Sequence, residues 1–170
     1  AISPDFTPTA MHASLWLNPK PGTDSALAMA MVEVILKENL YQEAYIKEQS
    51  DLPLLVRTDT KEFLRREHLS LYGLLAVEDN VYYMWDEATD KIVQAPGTGR
   101  AIKPTGRDRR KHGTLELGDI EPALEGRWNI KTLDGKIEVT TVFELLKEQC
   151  RDFTPEKATE ITGVSAQVIR

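Results

Sequence analysis

Ser14-Leu15-Trp16-Leu17-Asn18-Pro19-Lys20-Pro21-Gly22-Thr23-Asp24-Ser25-Ala26-Leu27-Ala28-Met29-Ala30-Met31-Val32-Glu33-Val34-Ile35 is the stretch on which the fold class turns. Its first apolar residues, Leu15 to Leu17, predict a short strand, and the two prolines with Gly22 stop it. Thr23 or Asp24 then caps a helix that runs to about Lys37 and ends at Asn39. Leu27, Met31, Val34 and Ile35 follow the three-four spacing of a buried helical face. Upstream, Ala1-Ile2 reads as the end of a strand entering a loop, Ser3 to Thr9, which Pro4 and Pro8 hold away from helix. Strand, loop, strand, turn, helix is an α/β pattern. Leu52-Pro53-Leu54-Leu55-Val56 supplies a further apolar extended run. The expectation is a mainly parallel sheet, with Ala1-Ile2, Leu15 to Leu17 and Leu54 to Val56 as strands, flanked by helices and carrying inserted β-hairpins.

Further along, Gln42 to Glu48 predicts a second helix, and Thr58-Asp59-Thr60 can cap a short helix through Leu64. Val81 to Trp85 and Lys91 to Val93 flank a turn and predict a β-hairpin, because aromatic and β-branched residues pack well on a pleated surface. Ala95 to Gly113 reads as a long loop. Trp128 to Lys131 and Lys136 to Val139 around Leu133-Asp134-Gly135 predict a second hairpin with an Asp-Gly turn. Helix returns over Thr141 to Cys150. Thr154-Pro155-Glu156 is a helix start, Thr162-Gly163 its stop, and Ser165 caps a last helix. The chain thus divides into an α/β dinucleotide-binding segment over 1–73, a hairpin-rich insertion and loop over 74–140, and a helical return over 141–170.

Composition narrows the function classes. With 170 residues and 41% hydrophobic content there is enough apolar material for a core. The 21 basic residues against 27 acidic ones give a net charge of −6, which is the wrong sign for a nucleic-acid partner. One cysteine, Cys150, cannot by itself assemble a thiolate cluster. His12, His68 and His112 stand far apart with no companion at metal-ligand spacing, so each reads as a solvated or hydrogen-bonded histidine, and no metal ligand is assigned. Ser14 and Ser25 lack a nucleophile elbow, Cys150 lacks a base, and no catalytic residue is assigned. The charge run Arg107 to His112 reads as solvated, and Gly97-Thr98-Gly99-Arg100 lacks the Lys-Ser/Thr and helix of a phosphate loop. No run of 18 apolar residues occurs, and the first residues are unlike a secretory signal.

The loop after Ile2 and the Pro21-Gly22-Thr23-Asp24 turn carry the sharpest chemical signal. Each sits where an open α/β sheet presents the carboxyl ends of its strands, which is where such folds bind nucleotides. Gly22 lets backbone approach a phosphate, the helix start offers N–H donors, and the Asp24 carboxylate can accept the paired donors of a guanine edge. The same four residues also make an ordinary turn and N-cap, and spacing alone does not separate the two readings.

Taken as an ordered set, Ser3-Pro4-Asp5-Phe6-Thr7-Pro8-Thr9-Ala10, Leu15-Trp16-Leu17 and Pro21-Gly22-Thr23-Asp24-Ser25-Ala26-Leu27 resemble the stretch of the dimethyl-sulfoxide reductase family that runs from a cofactor-binding loop into a cofactor-binding helix start. Tyr41 to Ile46 with Asp51 to Arg57, and Phe153 to Ala158 with Ile161 to Val164, are similar to later segments of that family. Asp51 to Arg57, Tyr83-Met84-Trp85-Asp86-Glu87 and Leu117 to Gly126 look most like the branch of nitrate reductases, nitrite oxidoreductases, and the perchlorate, selenate, dimethyl-sulfide and ethylbenzene enzymes. The resemblance implies a molybdenum atom held by two molybdopterin guanine dinucleotides, oxygen-atom or hydroxyl transfer with nitrate reduction or nitrite oxidation foremost, and electrons relayed through iron–sulfur clusters to an iron–sulfur partner subunit. It implies that Ser3, Pro4, Asp5, Phe6 and Thr7, with Gly22, Thr23 and Asp24, contact one dinucleotide's guanosine and phosphate end. The family often has Arg before Pro-Gly-Thr-Asp, whereas Lys20 stands here, keeping the charge and losing the planar fork. The cluster cysteines and the protein ligand to molybdenum would lie outside this stretch. The chain is therefore expected to be an internal piece of a catalytic subunit in a periplasmic or membrane-associated complex, inactive alone. Its alternative is a non-catalytic α/β nucleotide-binding or interaction domain.

Overall fold

The structure, a computed structural model, describes residues 1–69, 81–96, 117–132 and 135–170. The chain forms two compact units, one made of Ala1–Tyr41 with Leu146–Arg170 and the other of Gln42–Leu145.

In the first unit Ala1 to Ser3 and Leu15 to Leu17 run side by side. The Leu17 N–H donates to the Ala1 carbonyl at 2.8 Å and the Ser3 N–H to the Leu17 carbonyl at 3.0 Å, which closes the parallel bridge Ile2↔Leu17. Between them lies the short helix α1, Pro8–Met11, whose N-cap Thr7 accepts a hydrogen bond from the Ala10 N–H. Helix α2, Asp24–Lys37, begins after Thr23 and ends at C-cap Glu38. Beyond it Asn39 takes φ +53°, a left-handed value that asparagine tolerates and that stops the helix. Leu27 and Ala30 of α2 pack with Leu17, Ala158, Val164 and Ile169, and half-buried Met31 leans on the same cluster. Helix α6, Pro155–Thr162, has the predicted Thr154 cap, N1 proline and left-handed Gly163 stop. Ser165 takes the N-cap position of the last helix, Ala166–Ile169, without a side-chain cap bond.

In the second unit helix α3 spans Glu43–Gln49. Strand β1, Leu55–Arg57, pairs with β5, Gly135–Thr141, which pairs in turn with β4, Arg127–Thr132; both pairings are antiparallel. Strands β2, Tyr83–Asp86, and β3, Lys91–Gln94, form the expected first hairpin. Helix α4, Arg66–Leu69, belongs to the same unit, and helix α5, Val142–Cys150, starts in it and has its residues from Leu146 onward in the first. Leu55, Leu64, Ile130 and Val139 make one buried cluster and Leu54, Met84 and Ala95 another.

Three expectations need correction. Leu54 to Val56 does not lie in a mainly parallel sheet: both named sheets are antiparallel, and parallel pairing among the described residues is confined to Ile2↔Leu17. All three residues of β1 are buried, and a strand covered on both faces has the same continuous apolar signature whichever way its neighbour runs. Ile35 is 40% exposed, so the buried face of α2 passes through Leu27, Ala30 and Val34 instead. Thr58-Asp59-Thr60 caps no helix. Asp59 accepts from Arg57 Nε at 3.0 Å and Nη2 at 2.8 Å, and this guanidinium fork holds its carboxyl down at about 2. Most of the expected 95–113 loop, the charge run at 107–112 and the Leu133-Asp134 turn residues lie outside the described residues.

Gly126 could not have been singled out from the sequence. It takes φ +138°, and a Cβ there would sit 2.5 Å from Cζ2 and 2.7 Å from Cη2 of Trp128. The Trp128 ring stacks on Trp85 with centroids 4.8 Å apart and planes 15° from parallel. Gly126→Ala should therefore displace the indole and destabilise the chain by about 1–3 kcal/mol. The check is urea denaturation together with the near-UV signal of the tryptophan pair; an unchanged signal and midpoint would show that the ring yields freely.

Candidate functional site

Because Ile2 and Leu17 pair in parallel, the segments that follow them leave the pair at the same, carboxyl, end. One is the Ser3–Thr7 loop and the other the Asn18–Asp24 turn. The first is braced by its own residues. Trp16 Nε1 donates to the Ser3 carbonyl at 3.0 Å, the Asp5 N–H donates to Ser3 Oγ at 3.3 Å, and Phe6 meets the Trp16 ring edge-on at 5.0 Å. Phe6 is nonetheless 60% exposed, presenting its other face outward. Pro4 and Asp5 are exposed, and Ser3 and Thr7 half-buried.

The second segment is a type II turn by its chemistry and geometry. Pro21 occupies the second position, Gly22 the third with φ +80°, and the Thr23 N–H returns to the Lys20 carbonyl at 3.2 Å. Nothing lies within 4 Å of where a Gly22 Cβ would be, so this backbone face is open. Thr23 stands at the N-cap position but does not cap through its side chain; its hydroxyl donates instead to the Lys20 carbonyl at 2.6 Å. The N–H groups of Asp24 and Ser25 open α2 without an intrahelical acceptor, and the exposed Asp24 carboxylate sits in the first turn, where the helix dipole favours negative charge. This arrangement offers N–H donors, hydroxyls, one carboxylate and an apolar ring, a donor set suited to a nucleotide and unsuited to a metal.

The other titratable groups do not compete. Burial, and then the Glu33 carboxylate, push the Cys150 thiol up, which is the direction of an inert cysteine. His68 Nδ1 accepts from the Arg65 N–H at 3.0 Å and His12 is exposed. Among the described residues no group of three or more His, Cys, Asp or Glu side chains could hold a metal ion, and no helix is long and apolar enough to cross a membrane.

No protein-family model matches the chain. It is 44% identical to the perchlorate reductase subunit alpha of Dechloromonas aromatica over 99% of its length. It is 41% identical to the dimethylsulfide dehydrogenase subunit alpha of Rhodovulum sulfidophilum over 100%, and 36% identical to the respiratory nitrate reductase subunit alpha of Haloferax mediterranei over 96%. The chain belongs with the alpha subunits of the dimethyl-sulfoxide reductase family. It spans 19%, 17% and 16% of the length of these three relatives.

The dimethyl-sulfoxide reductase resemblance implies contacts from Ser3 through Thr7 and from Gly22 through Asp24. What it could not indicate is the bracing behind them: Trp16 under Ser3, and Lys20 at the root of the turn, whose N–H donates to the Thr162 carbonyl at 2.9 Å. These are contacts between residues distant in sequence, and no local pattern announces them.

Proposed function

We propose that this chain is part of the catalytic subunit of a molybdenum oxidoreductase, and that the loops following Ile2 and Leu17 receive the guanosine end of a molybdopterin guanine dinucleotide. The observation that carries the reading is their common departure from one end of a parallel pair, with the open face of Gly22 beside a helix start. The residues present fit such a group. Gly22 admits a phosphate against its backbone, the Asp24 and Ser25 N–H groups face its charge, and the Asp24 carboxylate accepts from the two donors of the guanine edge. Ser3, Asp5 and Thr7 offer polar contacts, Pro4 stiffens the loop, and Phe6 supplies an apolar plate.

When bound as a pair of dinucleotides, the group supplies molybdenum for oxygen-atom or hydroxyl transfer. The chain's own task is to hold and orient one nucleotide end. The substrate is read as a small oxyanion or small molecule, with nitrate reduction or nitrite oxidation as the reactions of choice, and electrons pass through iron–sulfur centres to an iron–sulfur partner subunit in a periplasmic or membrane-associated complex. The Ile2–Leu17 pair is read as part of a mainly parallel sheet within the larger molybdopterin-enzyme fold. Relatives named as reductases and dehydrogenases favour this reading over a non-catalytic nucleotide-binding or interaction domain.

The test is Asp24→Asn and Asp24→Ala in the full-length subunit, measuring guanine nucleotide and molybdenum per subunit. Each lost charge-assisted hydrogen bond is worth on the order of 1.5–3 kcal/mol, so both variants should lose most of their nucleotide at limiting cofactor while the fold survives. If Asn retains full cofactor and only Ala lowers stability, Asp24 serves the helix start alone and the assignment is wrong.

A further inference from the structure

We infer that the carboxyl end of α6, through Thr162 and Gly163, is the positioning element for the Lys20–Asp24 turn, so that a glycine far away in sequence governs how tightly the nucleotide end is held. This rests on the reading above that the turn binds a guanine nucleotide. The last carbonyls of a helix have no acceptor role within it and must find donors elsewhere. In α6 those donors come from Lys20. Its N–H donates to the Thr162 carbonyl at 2.9 Å, and its ammonium reaches the Glu160 carbonyl at 3.5 Å, placing a cation where the helix dipole favours one. The Lys20 carbonyl in turn receives both the Thr23 N–H, at 3.2 Å, and the Thr23 hydroxyl, at 2.6 Å. The backbone N–H and ammonium of Lys20 are thus engaged toward α6 and its carbonyl toward the turn.

The α6 end is itself rigid. Thr162 is fully buried; its hydroxyl donates to the Ala158 carbonyl at 2.7 Å and accepts from the Val164 N–H at 3.1 Å. Gly163 follows with φ +79°, a left-handed value that fixes the direction of the Thr162 carbonyl and that alanine adopts only under strain. A Cβ on Gly163 would lie 3.7 Å from Lys20 Cε, an ordinary contact, so a substitution there acts through the backbone angle and not through a clash with the lysine.

The experiment compares Gly163→Ala, Gly163→Asn and Lys20→Met in the full-length enzyme. Gly118→Ala serves as a control, because Gly118 is also left-handed and has open space around it. The readouts are the release rate of bound guanine nucleotide and amide hydrogen exchange at Lys20 and Thr23. Gly163→Ala should release nucleotide roughly tenfold faster, the scale set by left-handed strain on a residue with a Cβ, and should speed exchange at both amides. Asparagine, which tolerates that conformation, should restore most of the difference, and Lys20→Met should give a smaller acceleration. Gly118→Ala should change neither readout whatever it does to the melting temperature. Equal nucleotide release from Gly163→Ala and Gly118→Ala at equal loss of melting temperature would overturn the inference. Should Gly163→Ala fail to accumulate, unchanged exchange in Lys20→Met would do the same. A failure of the nucleotide assignment is recognised separately: Asp24→Asn then keeps its cofactor while exchange at Thr23 still responds to Gly163.

Discussion

Phe143→Ala should remove about 3–5 kcal/mol of stability, the largest loss expected from any single substitution considered for this chain. Phe143 is the largest fully buried side chain among the described residues, with no exposed surface. It occupies the point where β5 hands over to α5. The Val142 N–H donates to the Leu54 carbonyl at 3.0 Å and the Phe143 N–H to the Leu52 carbonyl at 2.9 Å, while Thr141 Oγ1 accepts from the Glu144 N–H at 3.1 Å. The backbone on both sides of the ring is therefore tied and cannot collapse into the space a truncation leaves, which is the condition under which cavity costs are highest. Urea denaturation should show a lower midpoint with an unchanged slope. A loss under 1 kcal/mol would mean that the surroundings close over the void.

Leu27→Ala is the second. Leu27 is 1% exposed and packs with Leu17, Ala158, Val164 and Ile169, so it joins the parallel pair, α2 and the returning helices at one point. Its truncation should cost about 2–5 kcal/mol. Ile35→Ala, two turns further along the same helix and 40% exposed, should stay within about 0.5 kcal/mol. The contrast in midpoints between the two variants is the measurement. Similar losses at both positions would contradict the orientation of α2.

The two residues also show where the sequence was legible and where it was not. Leu27, Met31, Val34 and Ile35 all satisfy helical spacing, but a stripe read at three-four intervals is broader than the contact it makes, and only the partner decides which edge is wetted. That partner is α6, which lies at the far end of the chain. The hairpins β2–β3 and β4–β5 were legible because alternation and turn chemistry are local signals. Strand direction for Leu54 to Val56 was not, since an apolar run carries no arrow. Asp59 looked like a cap because its neighbours are threonines; Arg57, two residues back, claims the carboxylate instead. At the candidate site, Gly22 and the helix start could be read directly from Pro-Gly-Thr-Asp. The grip of Thr162 on Lys20 could not, because a backbone hydrogen bond leaves no mark on side-chain identity.

The unit that carries this site is assembled from both ends of the chain, with Gln42–Leu145 lying between its two parts. During synthesis the Lys20–Asp24 turn and α2 emerge before the intervening residues, whereas Ala158, Val164 and Ile169, which cover Leu27, emerge only after them. A ribosome-bound intermediate that has completed only the intervening residues has an uncovered α2 and an unsupported turn. Closing the unit also means bringing together ends separated by the whole of that insertion, although the entropic cost grows only logarithmically with its length. Nascent chains halted before Thr154 would thus show an intact Trp85–Trp128 stack and a frayed α2, so within this stretch the enclosed unit orders before the one that brackets it in sequence.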